Sequence, residues 1–152
     1  MEVERKFVLS ARPPELGAGR RIEQGYLALD PAGAEVRLRR VGDALLMTVK
    51  TGRGLVRGEV EFALAAAEFS KLWPLTSGRR VVKTRHLVAL DGGLTAEVDV
   101  YEGDLAGLLT GEVEFGDEAT ARGFVAPAWL GRDVTDDPRY ANQRLAVDGI
   151  PA

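Results

Sequence analysis

Apolar and polar residues alternate with period two along most of this chain, the spacing of a strand whose successive side chains point to opposite faces of a sheet. The alternation predicts strands near residues 1–9, 21–30, 34–41, 44–51, 56–64, 79–90, 94–101 and 110–115. The separations are mostly short and carry Gly, Asp or Pro, so neighbouring strands are expected to pair antiparallel. Three stretches switch to helical spacing. Residues 65–73 hold Phe69, Leu72 and Trp73 on one face, with Pro74 as a stop. Residues 117–124 open on Asp117, suited to N-capping. Residues 138–148 have Asp137 as cap, Pro138 as first helical position and Gly149 as terminator. Candidate loops at 10–20, containing Pro13 and Pro14, and at 52–58 are too short to separate two domains. The expectation is one domain over residues 1–152, of the α+β class: an eight-stranded antiparallel β-barrel with helices packed outside.

Sorting each strand by parity gathers charge on one face. Glu2, Glu4 and Lys6 share a face, with Val3 and Phe7 opposite. Arg37 and Arg39 flank Leu38, and Lys50 follows Thr48. Glu59 and Glu61 flank Val60; Lys83 and Arg85 flank Thr84. Glu97 and Asp99 flank Val98; Glu112 and Glu114 flank Val113. Seven strands thus contribute eight carboxylates and six cations to one face. Any one of these pairs alone is ordinary on a solvated sheet. Together they are not: a wet face normally mixes in Ser, Thr and Asn, and same-sign pairs repel unless an opposing strand or a ligand compensates. If the sheet closes, the charges share one lumen, and eight strands leave room inside for about one small ligand. The cations suit a polyanion, the acids suit a hard divalent cation, and a metal–polyphosphate complex satisfies both.

Composition narrows the chemistry further. With 20 Lys+Arg against 23 Asp+Glu the net charge is −3, which gives no global field for nucleic acid or an anionic membrane. The absence of cysteine excludes disulfides, thiolate metal sites and a cysteine nucleophile, and a single histidine, His86, excludes a multi-His zinc site. No apolar run approaches a membrane span of roughly 20 residues, and charge at position 2 leaves no room for a signal peptide. A cytoplasmic location is therefore expected. By parity His86 and Arg5 lie outside the charged face, His86 under a helix or partly exposed and Arg5 on the surface. Trp73 and Trp129 read as packing residues. Tyr26 shares the parity of Gln24, and either faces the lumen or closes one end of it. The glycine-rich 52–58 segment lacks the form of a phosphate-binding loop and reads as a hairpin turn.

Glu2-Val3-Glu4-Arg5-Lys6-Phe7 resembles the ExExK signature of the CYTH superfamily, the triphosphate tunnel metalloenzymes. Val36-Arg37-Leu38-Arg39-Arg40, Thr48-Val49-Lys50, Glu59-Val60-Glu61, Lys83-Thr84-Arg85, Glu97-Val98-Asp99 and Glu112-Val113-Glu114 resemble the later strands of that family in order and spacing. The tail from Pro127 to Thr135, with Arg139-Tyr140-Ala141-Asn142, is similar to its short bacterial members. The resemblance implies a tunnel open at both ends, holding a triphosphate and Mg²⁺ or Mn²⁺. It implies Glu2, Glu4 and Glu114 as principal metal ligands, and Glu61 and Asp99 near a second metal or the attacking water. It implies Lys6, Arg37, Arg39, Lys50, Lys83 and Arg85 as phosphate-binding cations, and Tyr26 with Lys50 as a catalytic pair. Ala96 and His86 depart from the aromatics usual at those positions, both outside the charged face.

The function expected is metal-dependent hydrolysis of a triphosphate, with inorganic tripolyphosphate to pyrophosphate and phosphate placed first. Thiamine or nucleoside triphosphates share the same recognisable part. An adenylyl cyclase of class IV type would need a base platform that the sequence does not display. A non-catalytic polyphosphate-binding module would keep the charges without turnover. A nucleic-acid-binding barrel ranks last, because eight carboxylates on the shared face would repel a phosphate backbone.

Overall fold

A computed structural model describes residues 1–13 and 15–152; Pro14, the second proline of the expected 10–20 loop, lies outside the described residues. The eight expected strands form as β1 (Glu2–Val8), β2 (Gly19–Leu29), β3 (Glu35–Val41), β4 (Ala44–Thr51), β5 (Val56–Ala63), β6 (Arg80–Ala89), β7 (Thr95–Tyr101) and β8 (Leu109–Glu114). All pair antiparallel in the order β5-β4-β3-β2-β6-β7-β8-β1, and β1 closes the barrel through Glu2↔Arg57 and Val3↔Val56. A short strand the period-two pattern did not reveal, β9 (Arg132–Asp133), pairs with Phe7 and Val8 beyond the point where β5 leaves β1. Two residues are too few to carry a periodic signal.

The apolar parity forms the outside of the barrel. Phe7, Ala96, Val98 and Val113 join Leu9, Phe115, Ala121 and Leu130 in one buried cluster, with Phe124 and Trp129 packed on it. Helix α2 (Glu118–Gly123) lies on this wall, and the Asp117 side chain accepts from the Thr120 amide at 2.7 Å, the expected N-cap. Arg5 is more than a surface residue. Its Nη1 donates to the Ala121 and Phe124 carbonyls at 3.1 and 2.8 Å, and its Nη2 donates to Asp133 at 2.7 Å. It thereby clamps α2 and β9 to β1. His86 is partly exposed, one of the two expected placements, and packs against the 10–20 connection with its Nδ1 2.8 Å from the Gly17 carbonyl.

Helix α1 (Ala66–Leu72) ends before Pro74, as expected, and the chain then tightens into a 3₁₀ turn over Trp73–Thr76, with proline in its tolerated first turn. Trp73 stacks on Phe69 at 5.4 Å and under Arg80. The expected helix at 138–148 is broken. Pro138–Tyr140 is a 3₁₀ turn, Ala141 is extended at ψ 137°, and α3 (Asn142–Asp148) begins after it. The break turns Tyr140 into a second buried cluster with Val81, Tyr101, Val134 and Leu145, and that packing outweighs one more turn of helix. Val81 and Tyr101 continue the parity of Lys83 and Asp99, so α3 covers one end of the barrel rather than its side wall. Among the described residues no helix is long and apolar enough to cross a membrane.

Gly131 sits at φ 80° and ψ −141°, a region closed to other residues, and a Cβ there would collide with the Val8 carbonyl oxygen. Gly131→Ala is expected to cost at least about 2 kcal/mol by combining backbone strain with loss of the β1–β9 register. The midpoint of urea denaturation measures it; an unchanged midpoint would show that the tail is not held by β1.

Candidate active site

The closed barrel turns the charged parity inward, around a cavity of about 910 Å³. Glu2, Glu4, Lys6, Arg37, Arg39, Lys50, Glu61, Arg85 and Glu114 line it, joined by Glu59, Glu97 and Glu112. Three expected site residues sit behind the wall. Tyr26, Lys83 and Asp99 are fully buried and do not line the cavity.

Strand register sets most of the polar contacts, because direct cross-strand partners bring their side chains together. Arg85 opposes Asp99 and holds it bidentately, Nε to Oδ1 at 2.8 Å and Nη2 to Oδ2 at 2.9 Å. Its Nη1 reaches Glu97 at 2.8 Å. Gln24 opposes Arg39 and accepts from its Nε and Nη2 at 3.1 and 2.8 Å. Thr48 opposes Glu61 and donates to its Oε2 at 2.9 Å. Lys83 lies on the diagonal, its Nζ 2.6 Å from Asp99 Oδ2, within ion-pair distance but out of line for a hydrogen bond. Asp99 therefore has both oxygens engaged by cations, and like Lys83 it is not among the residues that line the cavity, where a metal or the attacking water would be met.

Across β5, Lys50 Nζ donates to Glu2 Oε1 at 2.9 Å. Tyr26 does not join Lys50 by a hydrogen bond among the described residues. Its hydroxyl accepts from Gln24 Nε2 at 2.8 Å, and burial, with the Glu35 carboxylate, pushes the phenol well above its usual range. The sequence reading missed Gln24, Glu35, Arg57 and Gln143. Glu35 continues the parity of Arg37 and Arg39 by one more step, so extending that count to the strand start would have found it. Arg57 continues the parity of Glu59 and Glu61 by one step in the same way, whereas Gln143 had no signal, since α3 docking places it.

The electrostatics are unbalanced where the cavity opens. Burial, then the neighbouring Glu112 and Glu2 carboxylates, push the Glu4 carboxyl up to about 8. The hydrogen bond shared with Glu2, then burial, push Glu59 up to about 7. Burial also works to raise Glu2, but that shared proton and the Lys50 ammonium hold it below the usual carboxylate range. On the cationic side, burial and the Arg37 and Arg85 guanidiniums pull Arg39 down to about 10. Burial, against the pull of Asp99, lowers the Lys83 amine to about 7. Among the described residues Arg37 Nε has no hydrogen-bond partner.

Among the described residues no three acidic or histidine side chains are drawn together as a preformed metal cluster. The donor set nevertheless fits a hard divalent cation. It is all oxygen, Glu4 and Glu114 are direct register partners, and burial, then the neighbouring Glu112 and Glu2 carboxylates, push the Glu4 carboxyl up to about 8. A cation there relieves that repulsion. The arrangement is a closed antiparallel barrel with a cationic wall beside an acidic one.

No protein-family model matches the chain. An inorganic triphosphatase of Nitrosomonas europaea is 42% identical over 146 residues, spanning 96% of this chain and 97% of that protein. One of Acetivibrio thermocellus is 34% identical over 146 residues, spanning 95% and 92%. The crystal structure of an inorganic triphosphatase superposes with a TM-score of 0.73 at 39% identity, covering 100% of this chain and 97% of that one. The chain belongs to the inorganic triphosphatase family, as its tunnel motifs implied.

In the metal-free protein the folded Glu4 binds a proton that the unfolded chain has released. Above the ordinary carboxyl range, stability therefore falls as pH rises, until the folded group itself ionises near 8. Glu4→Gln removes this dependence and keeps the side-chain size. With chelator present, the melting temperature of Glu4→Gln relative to wild type is expected to climb between about pH 5 and about pH 8, then level. A pH-independent difference would contradict the crowded-carboxylate reading.

Proposed function

We propose that this protein hydrolyses inorganic tripolyphosphate to pyrophosphate and phosphate in the barrel cavity, with Mg²⁺ or Mn²⁺ as cofactor. The observation that carries the reading is the pairing of a cationic wall, with Arg37 Nε unpartnered among the described residues, and a wall of crowded acids facing one cavity. The two curated relatives, both named inorganic triphosphatase, support the substrate.

Glu2, Glu4 and Glu114 would hold the divalent cation. When bound, it supplies positive charge to phosphate oxygens and makes a bound water more acidic. Lys6, Arg37, Arg39, Lys50 and Arg85 bind the phosphate oxygens, and their fixed charge stabilises the negative charge that spreads over the transferring phosphoryl group. Asp99, aided by Lys83, fixes the Arg85 fork so that it needs no reorganisation when substrate enters. Gln24 does the same for Arg39, and Tyr26 in turn for Gln24. A water oxygen attacks the terminal phosphorus, the P–O bond to the bridging oxygen breaks, and pyrophosphate leaves with the bond electrons. Lys50, besides binding phosphate, takes the proton from the water as the general base. Thr48 holds Glu61 at the cavity wall, where its carboxylate orients the attacking water.

Phosphate release from tripolyphosphate is expected with Mg²⁺ or Mn²⁺ and to vanish with excess chelator. Full activity in chelator would overturn the metal-dependent reading.

Lys50→Arg keeps the positive charge but cannot lose a proton, because guanidinium stays charged. It is expected to lower kcat by about 100-fold or more with little change in KM, and to remove the rise of kcat with pH. Near-normal kcat with the same pH profile would show that Lys50 only binds phosphate and would move the base to Glu61.

A further inference from the structure

Along β3 the lumen-facing side chains run Arg39, Arg37, Glu35, two cations and then an acid. With a rise of about 3.4 Å per residue, Glu35 sits about 7 Å beyond Arg37 along the same wall. That is within reach of one or two further phosphate units of a linear chain lying over the arginines. Glu35 is 4% exposed. Its Oε1 is gripped from two elements, by Arg57 Nη2 at 3.1 Å and by Gln143 Nε2 of α3 at 3.3 Å. The same two donors also hold the Gly33 carbonyl at 2.8 and 3.1 Å, which fixes the hairpin that carries Glu35. The other oxygen, Oε2, has no hydrogen-bond partner among the described residues and lies 3.8 Å from Arg37 Nη1. A rigidly held carboxylate, ion-paired to Arg57 and facing Arg37, thus interrupts the run of cations along β3 on the side that α3 covers.

We propose that Glu35 is a specificity-determining residue that limits the length of the phosphate chain the cavity accepts. It favours tripolyphosphate over longer linear polyphosphates by setting a fixed negative charge where the next phosphate would lie. The proposal rests on the reading of the cavity as a linear triphosphate site. The carboxylate acts by repulsion at the end of the track and touches no reacting atom. A role confined to holding Arg37 predicts something different, a loss shared by every substrate.

The test compares kcat/KM for linear tripolyphosphate and linear tetrapolyphosphate, with Mg²⁺, in wild type, Glu35→Gln and Glu23→Gln. Glu35→Gln keeps the acceptor that Arg57 and Gln143 use and removes the charge. It is expected to raise the tetrapolyphosphate-to-tripolyphosphate ratio by about tenfold or more. Glu23 pairs with Arg40 on the outer wall, so Glu23→Gln removes a carboxylate outside the cavity and is expected to leave the ratio unchanged. An unchanged ratio in Glu35→Gln overturns the proposal, including the case in which both substrates fall together. Wild type inactive on tripolyphosphate overturns the functional reading and this proposal with it. If Glu35→Gln does not fold, Gln143→Glu, which adds a charge at the same end, is read instead. It is expected to lower the ratio, and no change there overturns the proposal.

Discussion

Burying charge inside a closed barrel is the constraint on which this structure turns. Removing an ion from water costs several kcal/mol even after relaxation, and only a close, well-shaped partner offsets it. The deepest acid, Asp99, is fully buried and meets this demand completely, gripped by Arg85 and approached by Lys83. Glu112, also buried, is held well below the usual carboxylate range by the Lys6, Arg85 and Lys83 cations despite its burial. Towards the cavity the compensation runs out. Burial and neighbouring carboxylates push Glu4 up, the hydrogen bond with Glu2 and burial push Glu59 up, and burial with the Arg37 and Arg85 guanidiniums pulls Arg39 down. The imbalance is of both signs and lies across one space. That imbalance of both signs in one cavity supports the proposed ligand, a polyanion with a divalent cation.

Such a wall can exist only if the opposite parity is strong enough to close the sheet around it. The outer cluster of Phe7, Ala96, Val98 and Val113 supplies that apolar surface, and α2 with the tail covers it. Arg5 shows how tightly the two faces are coupled. It alternates with Glu4 and Lys6 along β1, yet its guanidinium spends its donors on α2 and β9 outside the barrel. A one-residue slip of β1 would exchange the two sets, putting Arg5 and Phe7 in the lumen and the signature acids outside. The ExExK spacing therefore carries structural as well as chemical information, because register and ligand placement are one property of the strand.

This explains why the barrel was legible in the sequence while parts of the site were not. Parity alone assigned Glu2, Glu4, Lys6, Arg37, Arg39, Lys50, Glu61, Arg85 and Glu114 to a common face, and each lines the cavity. Parity is blind to depth. It placed Lys83 and Asp99 on the right face without revealing that Arg85 stands between them and the cavity. It is also blind to elements that approach from elsewhere in the chain. Gln143 reaches Glu35 across 108 positions, and the helix carrying it begins one turn late because Tyr140 prefers the core. Short irregular segments such as β9 leave no periodic trace and are fixed by their neighbours.

The division of labour between lysine and arginine follows from the same desolvation argument. Lysine carries a compact charge on a flexible stem that can be neutralised when burial demands it, whereas guanidinium stays charged and offers a planar fork. Lys83, fully buried, takes the position where an amine lowered to about 7 still leaves Asp99 compensated by Arg85. Arg85 takes the position between the buried acid and the cavity, where one fork binds Asp99 while another donor reaches Glu97. Exchanging the two would put the bulkier, permanently charged group where no water reaches and leave the cavity wall with a point charge that cannot bridge two acids. The order lysine then arginine along β6 is thus set by depth, and the cation that faces the ligand is the one whose geometry is already fixed before the ligand arrives.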